Sequence, residues 1–214
     1  MKRVGMLVFD GFDLMDLVGP YEVILTANRL AARRGEDEPF EIVTVSAGGP
    51  LISAYGGLQV KPQAAADTAG HLDVVIVPGT IDVDAALADT DLVATVGRLG
   101  AAAATTTSVC TGSFLLAAAG LLAGRTATTH HEDVAALAER DDVGSTATGV
   151  RWVDDGEVIT AAGISSGIAF GLHLVDRFAG REMALVCARQ IEHSWDLDGH
   201  DVVPAQESPD AAVR

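Results

Sequence analysis

Residues 105–124 read TTTSVCTGSFLLAAAGLLAG, and the fold turns on how this stretch is parsed. No charged residue lies between Arg98 and Arg125, so the segment belongs in a membrane, in a protein core, or at a buried site. A bilayer span would need an unbroken apolar face, but Thr105, Thr106, Thr107, Ser108, Thr111 and Ser113 crowd its middle, and Gly112 and Gly120 interrupt it. The β-branched run Thr105–Val109 instead predicts a buried strand, and the leucine and alanine run predicts a buried helix over Thr111–Leu122. Cys110 is left at the turn between them.

Working outward, the same alternation recurs. Arg3–Phe9, Phe40–Ser46 and Leu72–Val77 are continuous apolar runs of strand length, and Asp13–Arg34 carries apolar residues at helical spacing with Asp13 placed to cap it. Glycine-rich punctuation at residues 48–50 and 56–57 predicts a small hairpin. Helices are expected at Asp82–Ala88, Asp91–Ala102, His131–Arg140, Ile164–Ala179 and Arg181–His193. A short strand is expected at Thr126–Thr129, and Trp152–Asp154 with Val158–Thr160 should form a hairpin about Asp155 and Gly156. Strands without polar alternation, interleaved with helices, imply an α/β fold with a mostly parallel sheet covered on both faces. Sites in such sheets lie beyond the carboxyl ends of the strands. The places to look are therefore Asp10–Asp16, Pro78-Gly79-Thr80, Cys110-Thr111-Gly112 and Thr129–His131.

The chain has 214 residues, 49% of them hydrophobic, which suits one large domain. We expect that domain at residues 1–195, followed by a polar tail at 196–214. A net charge of −16 opposes binding to nucleic acid or an anionic membrane. Two cysteines, Cys110 and Cys187, make no disulfide framework, and the start MKRVGMLVFDG lacks a signal-peptide pattern, so a cytoplasmic protein is expected.

The chemistry centres on Cys110. Small residues after it permit a sharp strand-to-helix turn like the nucleophile elbow of hydrolases, with sulfur in place of the serine oxygen. The helix N-terminus is expected to lower the thiol pKa, and the N–H groups of the turn to hold an anion. The plainer alternative is a free cysteine used as a small core residue, which is how Cys187 reads. Asp10, Asp13 and Asp16 cluster after the first strand. Asp16, within FDLMDLVGPYEV, has apolar neighbours and is the carboxyl whose pKa burial should raise. His130 and His131 can approach the thiol or lie on the surface. Their spacing makes no zinc site, and the glycines make no phosphate-binding fingerprint.

Taken together, VFDGFDLMDLVGPYEV, DVVIVPG, SVCTGSFLLAAAGLLAGRTATTHH and VITAAGISSGIAFGLHLV resemble the DJ-1/PfpI superfamily over roughly Val4 to His193. The resemblance implies a flavodoxin-like three-layer sandwich, a homodimer, and a reactive cysteine at Cys110 with Asp16 bonded to it. Aspartate at that position, with threonine after the cysteine, is similar to the isonitrile hydratase branch. There a cofactor-free enzyme converts isonitriles to N-substituted formamides through a thioimidate, and Thr111 would assist. The oxyanion and substrate-binding groups implied are Gly79, Thr80, Gly112 and His130. Redox sensing through Cys110, and glyoxalase- or deglycase-like activity on aldehydes, are alternatives from other branches; the latter more often carry glutamate at the acid position. A protease would need His130 or His131 beside the thiol. The motifs also occur in sensor domains of AraC-type regulators, but no helix-turn-helix is expected in the polar segment after His193. Thr80 stands where the family usually has a second glycine, and its β-carbon is expected to narrow the pocket.

Overall fold

The computed structural model describes residues 1–47 and 49–199. Its central sheet has the order β10-β11-β7-β6-β1-β2-β5. These strands are β1 Lys2–Val8, β2 Phe40–Ser46, β5 Ala64–Ala65, β6 Val74–Val77, β7 Thr105–Val109, β10 Trp152–Asp155 and β11 Val158–Ala161. All pairs are parallel except β10 with β11. Every residue of β6, β7 and β11 is buried, as expected of strands covered on both faces.

Two helical layers sandwich the sheet. α1 (Leu14–Arg33), α6 (Ser166–Ala179) and α7 (Arg181–Gln190) pack together, as do α2 (Val83–Ala88), α3 (Thr90–Ala102) and α4 (Gly112–Ala118). This is the flavodoxin-like α/β sandwich. Gly167 and Gly171 let α6 lie against Pro20 of α1, where a β-carbon would come within 3.2 and 3.0 Å of the proline. The start of α6 is thereby set beside the first turn of α1. The remaining short elements are the hairpin β3 (Ile52–Ser53) with β4 (Gln59–Val60), the parallel pair β8 (Thr126–Ala127) with β9 (Ser145–Thr146), and α5 (Val134–Ala138).

Some boundaries differ from the sequence expectation. α4 stops at Ala118, because Gly120 takes φ +75° and the N–H groups of Gly120 and Leu121 close back on Ala117 and Leu116 in a Schellman end. α6 begins at Ser166, two residues after the predicted start, because Ile164 has φ +48°. Of the expected tail, residues 196–199 are described: the Arg151 N–H donates to Gly199 O at 2.7 Å, and Gly199 lies on the Trp152 ring. Residues 200–214 lie outside the described residues. Among the described residues no helix is long and apolar enough to cross a membrane.

Candidate active site

The strand order reverses between β1 and β6, so their carboxyl ends leave a crevice between connections that diverge. The first of these connections distributes its three aspartates to different tasks. Asp10 accepts the Ser53 N–H at 2.8 Å and ties down the hairpin; Asp13 caps α1 through the Met15 N–H at 3.1 Å. Asp16, one helical turn on, is fully buried and points to the end of β6, where its Oδ2 accepts the Gly79 N–H at 3.0 Å. Its Oδ1 is buried without a hydrogen bond of normal length and angle, leaving the Cys110 thiol and the Ile164 N–H to favour the charge from nearby.

Cys110 follows β7 with φ +56°, a left-handed conformation that costs a non-glycine residue about 1–3 kcal/mol and marks a strained strand-to-helix turn. The turn is over-determined. The Cys110 N–H is shared by the carbonyls of Ala161 and Ala162 at 3.1 and 3.3 Å, and its own carbonyl accepts the Thr129 hydroxyl at 2.9 Å. Gly112 is required next, since a β-carbon there would overlap the Val77 carbonyl oxygen. Gly79 is required opposite, since a β-carbon would stand 2.6 Å from Thr111 Oγ1 and 2.8 Å from Asp16 Oδ2.

The electrostatics partly reverse the sequence expectation. Burial, reinforced by the charge of Asp13, raises Asp16 from 3.8 to about 7, as anticipated for a carboxyl in apolar surroundings. The Cys110 thiol is not lowered. Burial and then the Asp16 charge push it up to about 12, and the N–H groups of Thr111 and Ile164 offset only part of this. The resting pair is therefore a protonated thiol beside a carboxyl raised to about 7.

Two of the backbone groups expected to hold an anion, those of Gly79 and Thr80, are already engaged within the protein. The Gly79 N–H is taken by Asp16, and the Thr80 N–H donates to Thr111 Oγ1 at 2.8 Å. Thr111 returns a bond from Oγ1 to Thr80 O at 2.7 Å. The Thr80 side chain does not face the thiol; its hydroxyl donates to Gly11 O at 2.9 Å and joins the loops after β6 and β1. Thr80 also walls a cavity of about 800 Å³ together with Phe9, Asp10, Tyr55, Ile81 and Asp82; neither Cys110 nor Asp16 lines it. The His130 ring rests on Gly163, with Nδ1 3.6 Å from Asp133 and 3.8 Å from Glu132, while His131 is exposed. Cys187 is fully buried, with its thiol pushed up to about 11 by burial.

One participant escaped the sequence reading. The Ile164 N–H lies near the Cys110 sulfur and the Asp16 carboxylate and favours the charged form of each, from a left-handed conformation that a β-branched residue rarely adopts. A glycine there would have signalled the turn; isoleucine reads as the start of a helix.

The DJ-1/PfpI family profile matches residues 2–177. Isonitrile hydratase from Pseudomonas putida is 31% identical over 219 residues, covering 99% of this chain and 89% of that protein. The transcriptional regulator GbdR of Pseudomonas aeruginosa strain UCBPP-PA14 is 32% identical, over 95% of this chain but 54% of the regulator. Among solved structures, a ThiJ/PfpI family protein from Pseudomonas syringae superposes with a TM-score of 0.76 at 32% identity, covering 91% of this chain and 76% of that one.

Proposed function

The chain belongs to the DJ-1/PfpI family, and on that premise we propose that it is a cysteine-dependent isonitrile hydratase acting without a cofactor. The observation that carries the reading is Asp16: a buried carboxyl raised to about 7 beside the Cys110 thiol. The terminal carbon of an isonitrile must gain both a nucleophile and a proton, and this pair holds one of each. Cys110 Sγ attacks that carbon while Asp16 takes the thiol proton and delivers it to the same atom. A C–S and a C–H bond form, giving the thioimidate Cys110–S–CH=N–R. Water then adds to the carbon as Asp16 accepts its proton. The nitrogen is protonated, the C–S bond breaks, and the thiol and the formamide R–NH–CHO are released. In this reading Thr111 is a brace: it fixes the Gly79–Thr80 peptide, so that the Gly79 N–H keeps Asp16 in place.

Redox sensing through Cys110 draws less support, because a thiol pushed up to about 12 holds little thiolate at neutral pH. The homodimer implied by the family resemblance is part of the proposal and is checked by light scattering. Ultraviolet-monitored hydration of an aromatic isocyanide tests the activity. Turnover by the intact chain, abolished in Cys110→Ala, is expected; no turnover, or turnover unchanged in that variant, overturns the reading.

A further inference from the structure

The peptide that presents the Ile164 N–H to the sulfur is held from several sides. Cys110 itself anchors its N-terminal flank through the carbonyls of Ala161 and Ala162, and Arg151 O accepts the Ala162 N–H at 2.9 Å. On the far flank, the carbonyls of Gly163 and Ile164 accept the N–H groups of Ser166 and Gly167, both at 3.1 Å, opening α6. Between these anchors stands Gly163, whose contact is a side chain. A β-carbon on it would overlap Cδ2 of His130 and stand 2.9 Å from Cγ and 3.1 Å from Nε2.

The His130 ring is itself fixed. It packs on the His131 ring at a centroid distance of 4.4 Å, its Nδ1 faces the Asp133 and Glu132 carboxylates, and its carbonyl accepts the Asp133 N–H at 2.9 Å. Its chain neighbour Thr129 is bonded to the Cys110 carbonyl. The ring thus belongs to the same framework as the sulfur and packs directly on Gly163. Ile164 at φ +48° is a strained conformation, and such conformations persist only where their surroundings enforce them.

We propose that His130 is a positioning residue: its ring, seated where Gly163 lacks a β-carbon, holds the Gly163–Ile164 peptide so that the Ile164 N–H stays on the Cys110 sulfur. The role is steric and requires neither ring nitrogen. It rests on Cys110 being the reactive thiol and not on the isonitrile substrate.

The test is therefore read without turnover. Cys110 is alkylated with iodoacetamide in the full-length chain and followed by mass spectrometry of its peptide, and the Ile164 amide resonance is recorded alongside. His130→Ala and Gly163→Ala should each slow alkylation about tenfold, the effect of raising the thiol pKa by about one, and should shift the Ile164 amide. His130→Phe, which keeps a ring but no nitrogen, should stay within about twofold of wild type on the same scale. Alkylation at the wild-type rate or faster in His130→Ala, or equally slow in His130→Phe, overturns the proposal. Should hydration of isocyanides fail while this pattern holds, the substrate assignment falls and the positioning role stands.

Discussion

Thr111 and Thr80 hold each other by two hydrogen bonds: the Thr111 hydroxyl donates to the Thr80 carbonyl at 2.7 Å and accepts the Thr80 N–H at 2.8 Å. The residue after Cys110 is thus locked to the loop that carries Gly79, and Gly79 is locked to Asp16. Cys110, Asp16 and the Gly79–Thr80 loop form one unit built from three separate strand ends. What happens when each link is cut follows from this arrangement.

Replacing Thr111 by Val keeps the shape of the side chain and removes both bonds. The buried N–H and carbonyl of Thr80 lose their partner, which should cost about 1–3 kcal/mol. Thermal melting reads the loss. Thr111→Ser, which retains the hydroxyl, should recover most of it, and equal melting of the Val and Ser variants would contradict the role given to the hydroxyl.

Asp16 makes stability depend on pH with a definite sign. Between pH 3.8 and about 7 the folded protein keeps a proton that the unfolded chain has released, so its stability falls as pH rises through that window. Completed, the rise from 3.8 to about 7 amounts to roughly 4 kcal/mol. Asp16→Asn cannot titrate. Denaturant melts of both proteins at several pH values should show wild type losing stability relative to the variant up to about pH 7 and not beyond it. Parallel curves would mean an ordinary carboxyl.

The same substitution should slow catalysis sharply while preserving the fold. Losing a general acid–base group typically costs about 10²- to 10⁴-fold in rate. In the wild type the isocyanide hydration rate should change with pH about a midpoint near 7, and that midpoint should vanish from any residual activity of Asp16→Asn.

Gly79→Ala introduces a carbon 2.6 Å from Thr111 Oγ1 and 2.8 Å from Asp16 Oδ2. Both must move, and overpacking of this kind costs about 1–3 kcal/mol. Activity should fall more than stability, because one displaced atom is the Asp16 carboxylate oxygen and the other belongs to the Thr111 brace that holds its loop. Hydration assays beside thermal melts decide; an active Gly79→Ala protein would place the reaction elsewhere.

Mild peroxide at neutral pH should oxidise Cys110 slowly, since its thiol is pushed up to about 12. Mass spectrometry of the Cys110 and Cys187 peptides measures this. Oxidation should accelerate as pH rises; rapid oxidation at neutral pH would revive the sensing role.

Much of this centre is legible in the sequence. A cysteine closing a buried β-branched run, followed by small residues, pointed to a tight turn, and Asp16 stood out by its apolar neighbours. The length of α4 is less so, because Ala and Leu continue past Gly120 and only the closing bonds of the helix end fix where it stops. Strands β5 and β9 are two residues each, too short for any period to register, and they exist because a neighbouring strand offers a partner.

By itself, the sequence determined the α/β layering, the turn at Cys110 and the burial of the Asp16 carboxyl, because hydrophobic period and residue size are local properties. Only the tertiary structure decided how the site is wired. The Gly79 and Thr80 N–H groups are consumed internally, the Ile164 N–H is turned onto the sulfur, and the His130 ring rests on Gly163. It also decided that the thiol is raised and not lowered. Each of these depends on burial and on which strand ends meet, and a chain acquires those only when residues far apart in sequence are packed together.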